Sequence, residues 1–270
     1  MKNKINFHEL LASVCETVKE AAQIARATKL SVTEKGSPEN IVTESDIAVQ
    51  RFLHKKLHEL LPIASFFCEE EGMCDKTGDY VWIIDPIDGT ANYSRGIAES
   101  AISVALVFEG EAVLGVVQNI LTGDVFSAVK DGGAKLNGKA ISVSARSFRE
   151  GLLCTAMSVY KKELAAMCRD VIYDAYMECN DVRRFGGCAL ELCYIAAGRC
   201  ELFFEMRVFP WDYAAGCLIL REAGGVLYGF DGETLDFKKT TMLVGANSKE
   251  NYERLKKIVK KHIKSIPYED

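Results

Sequence analysis

The stretch YVWIIDPIDGTANY, Tyr80 to Tyr93, decides how the rest of the sequence is read. Apolar Val81 to Ile84 read as a buried strand. Two aspartates three positions apart, Asp85 and Asp88, close it, with Pro86 between them and Gly89-Thr90 behind. Carboxylates at the end of a buried strand are costly unless something cationic sits there. Two readings stand: an ordinary strand followed by a turn, or aspartates that hold metal. Pro86 fixes the backbone between the two acids, letting both side chains turn to one side and freeing the Ile87 carbonyl as another oxygen ligand. Gly89 permits close backbone approach and an unusual φ. If TANYSRG opens a short helical turn, its free amides can hold a phosphate.

Two further segments also end an apolar run in acid: FFCEE, carrying Glu69 and Glu70, and FPWDYAAG, carrying Asp212. Each alone has an ordinary reading: a solvated acid pair, a helix cap, an Asp-Gly turn. A turn alone, however, explains neither both acids nor the proline of DPIDGT. If Glu69, Asp85, Asp88 and Asp212 converge on one cleft, they repel and titrate upward unless a hard cation neutralises them. Oxygen-only ligands suit Mg2+ or Mn2+ rather than Zn2+. Four acids suggest two ions sharing one carboxylate.

The chain has 270 residues, enough for one large domain or two closely packed halves. Net charge is −5, from 38 acidic and 33 basic residues, which argues against a nucleic-acid partner. A phosphorylated substrate stays open, because a bound cation inverts the local sign. The ten cysteines form no CxxC pair. There is no signal-peptide pattern at the start and no apolar run of about 18 residues, so a reduced, cytoplasmic protein without a membrane partner is expected. His54 and His58 are four apart but lack the glutamate of a metalloprotease motif, and read as helix-surface residues.

Along the chain, residues 6–28 and 46–61 carry helical periodicity, the second helix capped by Thr43 or Ser45 and stopped before Pro62. Residues 100–107 and 112–118 read as strands joined at Glu109-Gly110, followed by hairpin signals at Asp131-Gly132 and Asn137-Gly138. The second half alternates: strand near 151–158, helix 161–178, a turn at RRFGG, helix 189–197, strand 200–206, helix 212–222, strands near 224–230 and 241–247, and a lysine-rich helix 249–263. This divides the chain into an α+β half, 1–147, with most of the acids, and an α/β half, 148–270, with Asp212 and the substrate end, packed as one unit.

With these motifs in place, the chain resembles the inositol monophosphatase family of Mg2+-dependent, lithium-sensitive phosphatases. The likeness runs from EKGSPENIVTESD through WIIDPIDGTANY and RRFGGCALELCYIAAGR to WDYAAGCLILREAGGVL. It implies an α+β fold, a layered αβαβα sandwich, and a homodimer. It implies two or three Mg2+ ions per subunit, with Mn2+ as substitute. Glu69, Asp85 and the Ile87 carbonyl are implied for the first ion, and Asp85, Asp88 and Asp212 for the second. Asp46 and Thr90 correspond to the pair that orients the attacking water, and Glu70 to the adjacent acid. Gly89, Thr90 and Ala91 correspond to the phosphate cradle. Glu205 matches an acid that binds ring hydroxyls, and Gly187 and Ala189 match positions lining the same pocket. The implied activity is phosphomonoester hydrolysis by in-line attack of metal-activated water, with inositol 1-phosphate as the substrate.

Departures keep alternatives open. Cys68 stands where many members have glycine. The interval from Glu69 to Asp85 is short, 16 residues, as in archaeal-type members that also hydrolyse fructose 1,6-bisphosphate. Arg183 and Arg184 are placed to meet a second phosphate or to serve structure, and Phe185 and Phe209 make the outer pocket apolar. A broader sugar phosphatase, of the fructose-1,6-bisphosphatase or histidinol-phosphatase type, is therefore one alternative. A regulatory interaction protein retaining the fold is the other.

Overall fold

The first helix, α1 (Phe7–Ala27), begins where the Asn6 side chain accepts the amides of His8 and Glu9. This comes from a computed structural model that describes residues 5–29, 31–37, 40–70, 78–158 and 161–268. A hairpin of β1 (Val32–Ser37) and β2 (Asn40–Thr43) follows, where sequence periodicity offered only a break. Helix α2 (Glu44–Leu60) is capped by Thr43, whose hydroxyl accepts the Asp46 amide while the Asp46 carboxylate accepts from Thr43. Both helices lay small and branched residues, among them Val14, Ala21, Val49 and Leu53, on one face of a seven-stranded sheet. The ring of His54 packs 4.1 Å from that of Phe66, a structural use.

That sheet runs in the order β3 (Ser65–Cys68), β4 (Tyr80–Asp88), β5 (Ala101–Phe108), β6 (Glu111–Asn119), β7 (Val125–Val129), β8 (Ala134–Leu136), β9 (Lys139–Ala140). Only β3 and β4 are parallel neighbours. A four-residue helix, α3 (Thr90–Tyr93), follows β4. The expected turns hold: Glu109 and Gly110 have φ of 51° and 84°, and Asn137 and Gly138 of 52° and 78°.

A second, five-stranded sheet runs β11-β10-β12-β14-β13, built from β10 (Leu152–Thr155), β11 (Asp181–Arg183), β12 (Leu202–Val208), β13 (Val226–Tyr228) and β14 (Thr241–Ala246). Helices α5 (Cys188–Ala196) and α6 (Pro210–Glu222) fill the space between the sheets, against Ile83 and Ala105 on one side and Phe203 and Leu243 on the other. Helices α4 (Ala165–Tyr176) and α7 (Lys249–His262) cover the outer face through Val171, Leu255 and Phe204. The result is the expected layered αβαβα sandwich.

Three boundaries differ from expectation. Strand β4 does not stop at Ile84 but continues through Pro86 to Asp88, with a register shift between Asp85 and Asp88. The RRFGG turn is preceded by strand β11, and α4 begins only after a tight turn at Lys162–Leu164. Asp212 is not the cap of α6. The helix starts at Pro210, and Asp212, in its first turn, accepts the Phe209 amide at 2.7 Å. Nine cysteines lie in the described residues and all nine are free thiols; Cys74 lies outside them. Among the described residues no helix is long and apolar enough to cross a membrane.

Candidate active site

The parallel pairing of β3 and β4 sets Cys68 opposite Ile84, so Glu69, just past β3, comes beside Asp85, still within β4. The Glu69 amide donates to the Ile84 carbonyl at 3.1 Å. On the other side of β4, Asp85 pairs with Ser103 of β5, and the Ser103 hydroxyl donates to the Trp211 carbonyl at 3.2 Å. That bond brings the start of α6, and with it Asp212, to the same place. Trp211 also stands edge-on to Phe67, ring centroids 5.2 Å apart. Segments 143 residues apart, at 69 and 212, thus meet at one cavity of about 810 Å³.

The irregular end of β4 shapes the floor. The Ile87 amide donates to Asp85 Oδ1 at 2.9 Å, and Ile87 itself is fully buried. Gly89 adopts φ +80°, and a Cβ there would lie 2.8 Å from the Glu99 carbonyl oxygen, so only glycine fits. The Thr90 hydroxyl donates to the Ile87 carbonyl at 2.9 Å and lies 3.4 Å from Asp46 Oδ1. Asp88 Oδ2 accepts the Ala189 amide at 2.8 Å.

Electrostatics follow from that crowding. Burial pushes the Asp85 carboxyl well above its ordinary range, and Glu69, Asp88 and Asp212 add to the rise. Burial and Asp88 do the same to Asp212, against a lowering pull from the Phe209 amide and Arg207. Burial lifts Asp88 to about 6, opposed by the Ala189 and Cys188 amides. Asp46 also rises to about 6, chiefly by burial. Empty, such a wall holds protons; a hard cation relieves it. The donors are carboxylates and a carbonyl, with no imidazole, which fits Mg2+ or Mn2+. Among the described residues no three Asp, Glu, His or Cys side chains are already drawn into a metal cage; the acids stand around the cavity wall.

The remaining expected residues divide. Glu70, Thr90, Ala91, Gly187 and Glu205 line the cavity. Ala189 does not: it is fully buried, and only its amide acts, on Asp88. The helical start of α5 turns its methyl group into the inter-sheet core. Gly187 has a steric reason beyond pocket room, since a Cβ there would come within 3.0 Å of Asp88 Oδ2. Arg184 lines the cavity, whereas Arg183 is turned away to Asp181. Phe209 lines it too, while Phe185 packs edge-on to Tyr194 at 5.2 Å.

Three positioning residues escaped sequence reasoning. Gln50 clamps the Glu70 backbone, accepting its amide at 3.1 Å and donating to its carbonyl at 2.9 Å. Asn92 donates to the carbonyls of Glu99 and Phe185, at 2.8 and 2.7 Å, tying the α3 turn to the loop before α5. Glu191 accepts the amides of Phe185 and Gly186, at 2.9 and 3.1 Å, and burial lifts its carboxyl to about 8. The only signal for each was a polar residue on a buried helical face, or inside the TANY turn.

Five alternating layers, with an acid-walled cavity where strand ends of both sheets meet the starts of the helices between them, define a particular class of sandwich fold. The sequence profile of the inositol monophosphatase family matches residues 4–264, and the chain belongs to that family. It is 34% identical over 229 residues to the Nus factor SuhB of Vibrio cholerae, covering 84% of this chain and 85% of that one. Against the Nus factor SuhB of Escherichia coli the identity is 35% over 205 residues, 75% of this chain and 76% of that one. Among solved structures, the extragenic suppressor protein suhB of Bartonella henselae superposes with a TM-score of 0.86 at 28% identity, covering 94% of this chain and all of that one. The Thermotoga maritima IMPase does so with 0.84 at 29% identity, covering 96% and 99%.

These names correct the expectation about partners. A small phosphorylated molecule with no nucleic acid was expected, yet relatives a third identical are named Nus factors. The reason is physical: net charge sums the whole molecule and excludes no local surface. Helix α7 alone carries Lys256, Lys257, Lys260 and Lys261 on a chain of net charge −5.

Proposed function

We propose that this chain is a Mg2+-dependent phosphoric monoester hydrolase of broad sugar- or polyol-phosphate scope. The observation that supports it best is the gathering of Glu69, Asp85, Asp88 and Asp212 beside the Gly89–Thr90 turn on one cavity wall. These acids and the Ile87 carbonyl would hold two or three Mg2+ ions, or Mn2+. Bound there, the metal lowers the pKa of water toward neutrality and offsets phosphoryl charge.

The chain's own residues do the rest. Backbone amides of Gly89, Thr90 and Ala91 orient the phosphate. The Thr90 hydroxyl takes a proton from the attacking water and gives its own to Asp46, whose buried carboxyl, raised to about 6, is ionised near neutrality yet a stronger base than an ordinary aspartate. The water oxygen bonds to phosphorus as the opposite P–O ester bond breaks. The leaving alkoxide takes a proton from solvent water and departs as the alcohol, and Asp46 returns its proton to solvent. Glu70 stands on the same wall, its backbone fixed by Gln50. Glu205 and Gly187 face the ester's alcohol part. Inositol 1-phosphate is one candidate within this scope and sugar phosphates are others.

A second reading is favoured by the names of the relatives: a regulatory interaction protein retaining the fold. Those names support it better than they support strict inositol specificity. One variant addresses both readings. Asp88→Asn is expected to cut Mg2+-dependent phosphate release, across a panel of phosphomonoesters, by at least about a hundredfold while the protein stays folded. Turnover retained within a few-fold contradicts the hydrolase reading. Placed on the chromosome, the same substitution leaves a deletion phenotype uncorrected if turnover is the function, and corrects it if the protein acts by interaction.

A further inference from the structure

We infer that Arg207 forms a second anion-binding subsite in this cavity, so that favoured esters carry an anionic group remote from the scissile phosphate. The inference rests on the hydrolase reading for the word ester, but not for the binding. Near the end of β12, Phe204 and Met206 pack into the outer core, while Glu205 and Arg207 are half-buried and line the cavity together with Met206 and Val208.

Arg207 sits over two aromatic rings. Its guanidinium lies 4.6 Å from the Phe209 ring centroid and 5.7 Å from that of Tyr268. Phe209 is stacked in turn on Trp211, 4.9 Å away with the rings 5° from parallel. A guanidinium braced on aromatic faces loses little further freedom when it binds a planar or tetrahedral anion.

It also lacks a partner. Arg146, Arg169, Arg183, Arg199 and Arg254 each pair with a carboxylate. Arg207 makes no ion pair or hydrogen bond among the described residues, and its Nε is buried without one. The plainer reading is that Arg207 merely offsets the charge of Asp212. That reading leaves the aromatic brace without a use, and it lapses once a cation neutralises the acid wall. Arg184 is differently placed. Its Nη1 lies 2.6 Å from where a Gly186 Cβ would stand, with Asn92 beside that point, so it belongs to the end of the cavity near the Gly89–Thr90 turn.

The test uses three esters on one six-carbon chain: hexane-1,6-diol monophosphate, its bisphosphate, and 6-phosphooxyhexanoate. With the full chain and Mg2+, kcat/KM is expected to favour one or both esters that carry a second anionic group by about ten- to a hundredfold, the range of a charge-assisted bond. In Arg207→Met that ratio falls to about one. In Arg207→Lys, which keeps charge but not the fork, it is intermediate. Arg207→Gln replaces the methionine variant if that fails to fold. Whether phosphate or carboxylate gains more identifies the group. No preference in the wild type, or the same preference in Arg207→Met, overturns the inference. Calorimetric binding of hexane-1,6-bisphosphonate against hexylphosphonate, neither of which is hydrolysed, separates the two claims. An Arg207-dependent preference without any ester turnover keeps the subsite and ends the hydrolase reading. Equal binding of the two phosphonates ends the subsite alone.

Discussion

Asp46 uses its two oxygens for different tasks. Oδ2 accepts from the amide and hydroxyl of Thr43, closing the cap of α2, while Oδ1 faces the Thr90 hydroxyl. One residue therefore fixes the start of a helix and, in the proposed mechanism, accepts a proton through Thr90. Burial has a consequence for stability. The folded carboxyl keeps its proton up to about pH 6, whereas the unfolded one loses it near 3.8. Between those values the folded state binds more protons, so the contribution of Asp46 to stability falls as pH rises through that window. Asp46→Asn cannot ionise and lacks this loss. In EDTA, its stability relative to wild type is expected to improve from pH 4 to pH 7, by on the order of 2–3 kcal/mol. Parallel denaturation curves across that range would contradict the assignment. At this scale the acids were legible in the sequence because an ionised group at the end of a buried run needs a reason. Gln50 and Asn92 were not legible, nor was the use of the Ala189 amide on Asp88, because these groups act on or through the backbone and their side-chain types carry no such anomaly.

Among elements, α6 does most to bring the site together, and it can do so because it lies unusually close to its neighbours. A Cβ on Gly115 of β6 would sit 2.9 Å from the Ala215 carbonyl oxygen, and one on Gly216 would meet Leu192 of α5 at 2.9 Å. The small residues of WDYAAG thus serve packing, while Trp211 and Asp212 serve the cavity. Gly115→Ala is expected to cost about 1–3 kcal/mol in urea denaturation and to lower phosphate release, because shifting α6 moves Asp212. An unchanged midpoint would mean that the close approach is not needed. Helices were read well from the sequence because periodicity alone reveals them. The β1–β2 hairpin was missed because its strands are short and lack an alternating apolar pattern. The end of β4 was placed too early because a proline ordinarily closes a strand, and here a register shift absorbs it.

Over the whole molecule, five layers let two sheets present their ends to one cavity, and the acids that reach it come from both halves of the sequence. Fold and family were legible because the motifs span nearly the whole chain. The partner class was not, because net charge is blind to where charges lie, and the relatives named Nus factors overturned that expectation. In the proposed mechanism, what would join the site to activity is a divalent cation shared by carboxylates 127 residues apart in sequence, at 85 and 212. Crystals soaked in Mn2+ and measured at the manganese absorption edge test that link without reference to substrate. The account predicts anomalous peaks in the cavity bonded to Asp85 and, with it, to Asp88 and Asp212. Manganese bound elsewhere, or a cavity holding none with these acids turned apart, would contradict it.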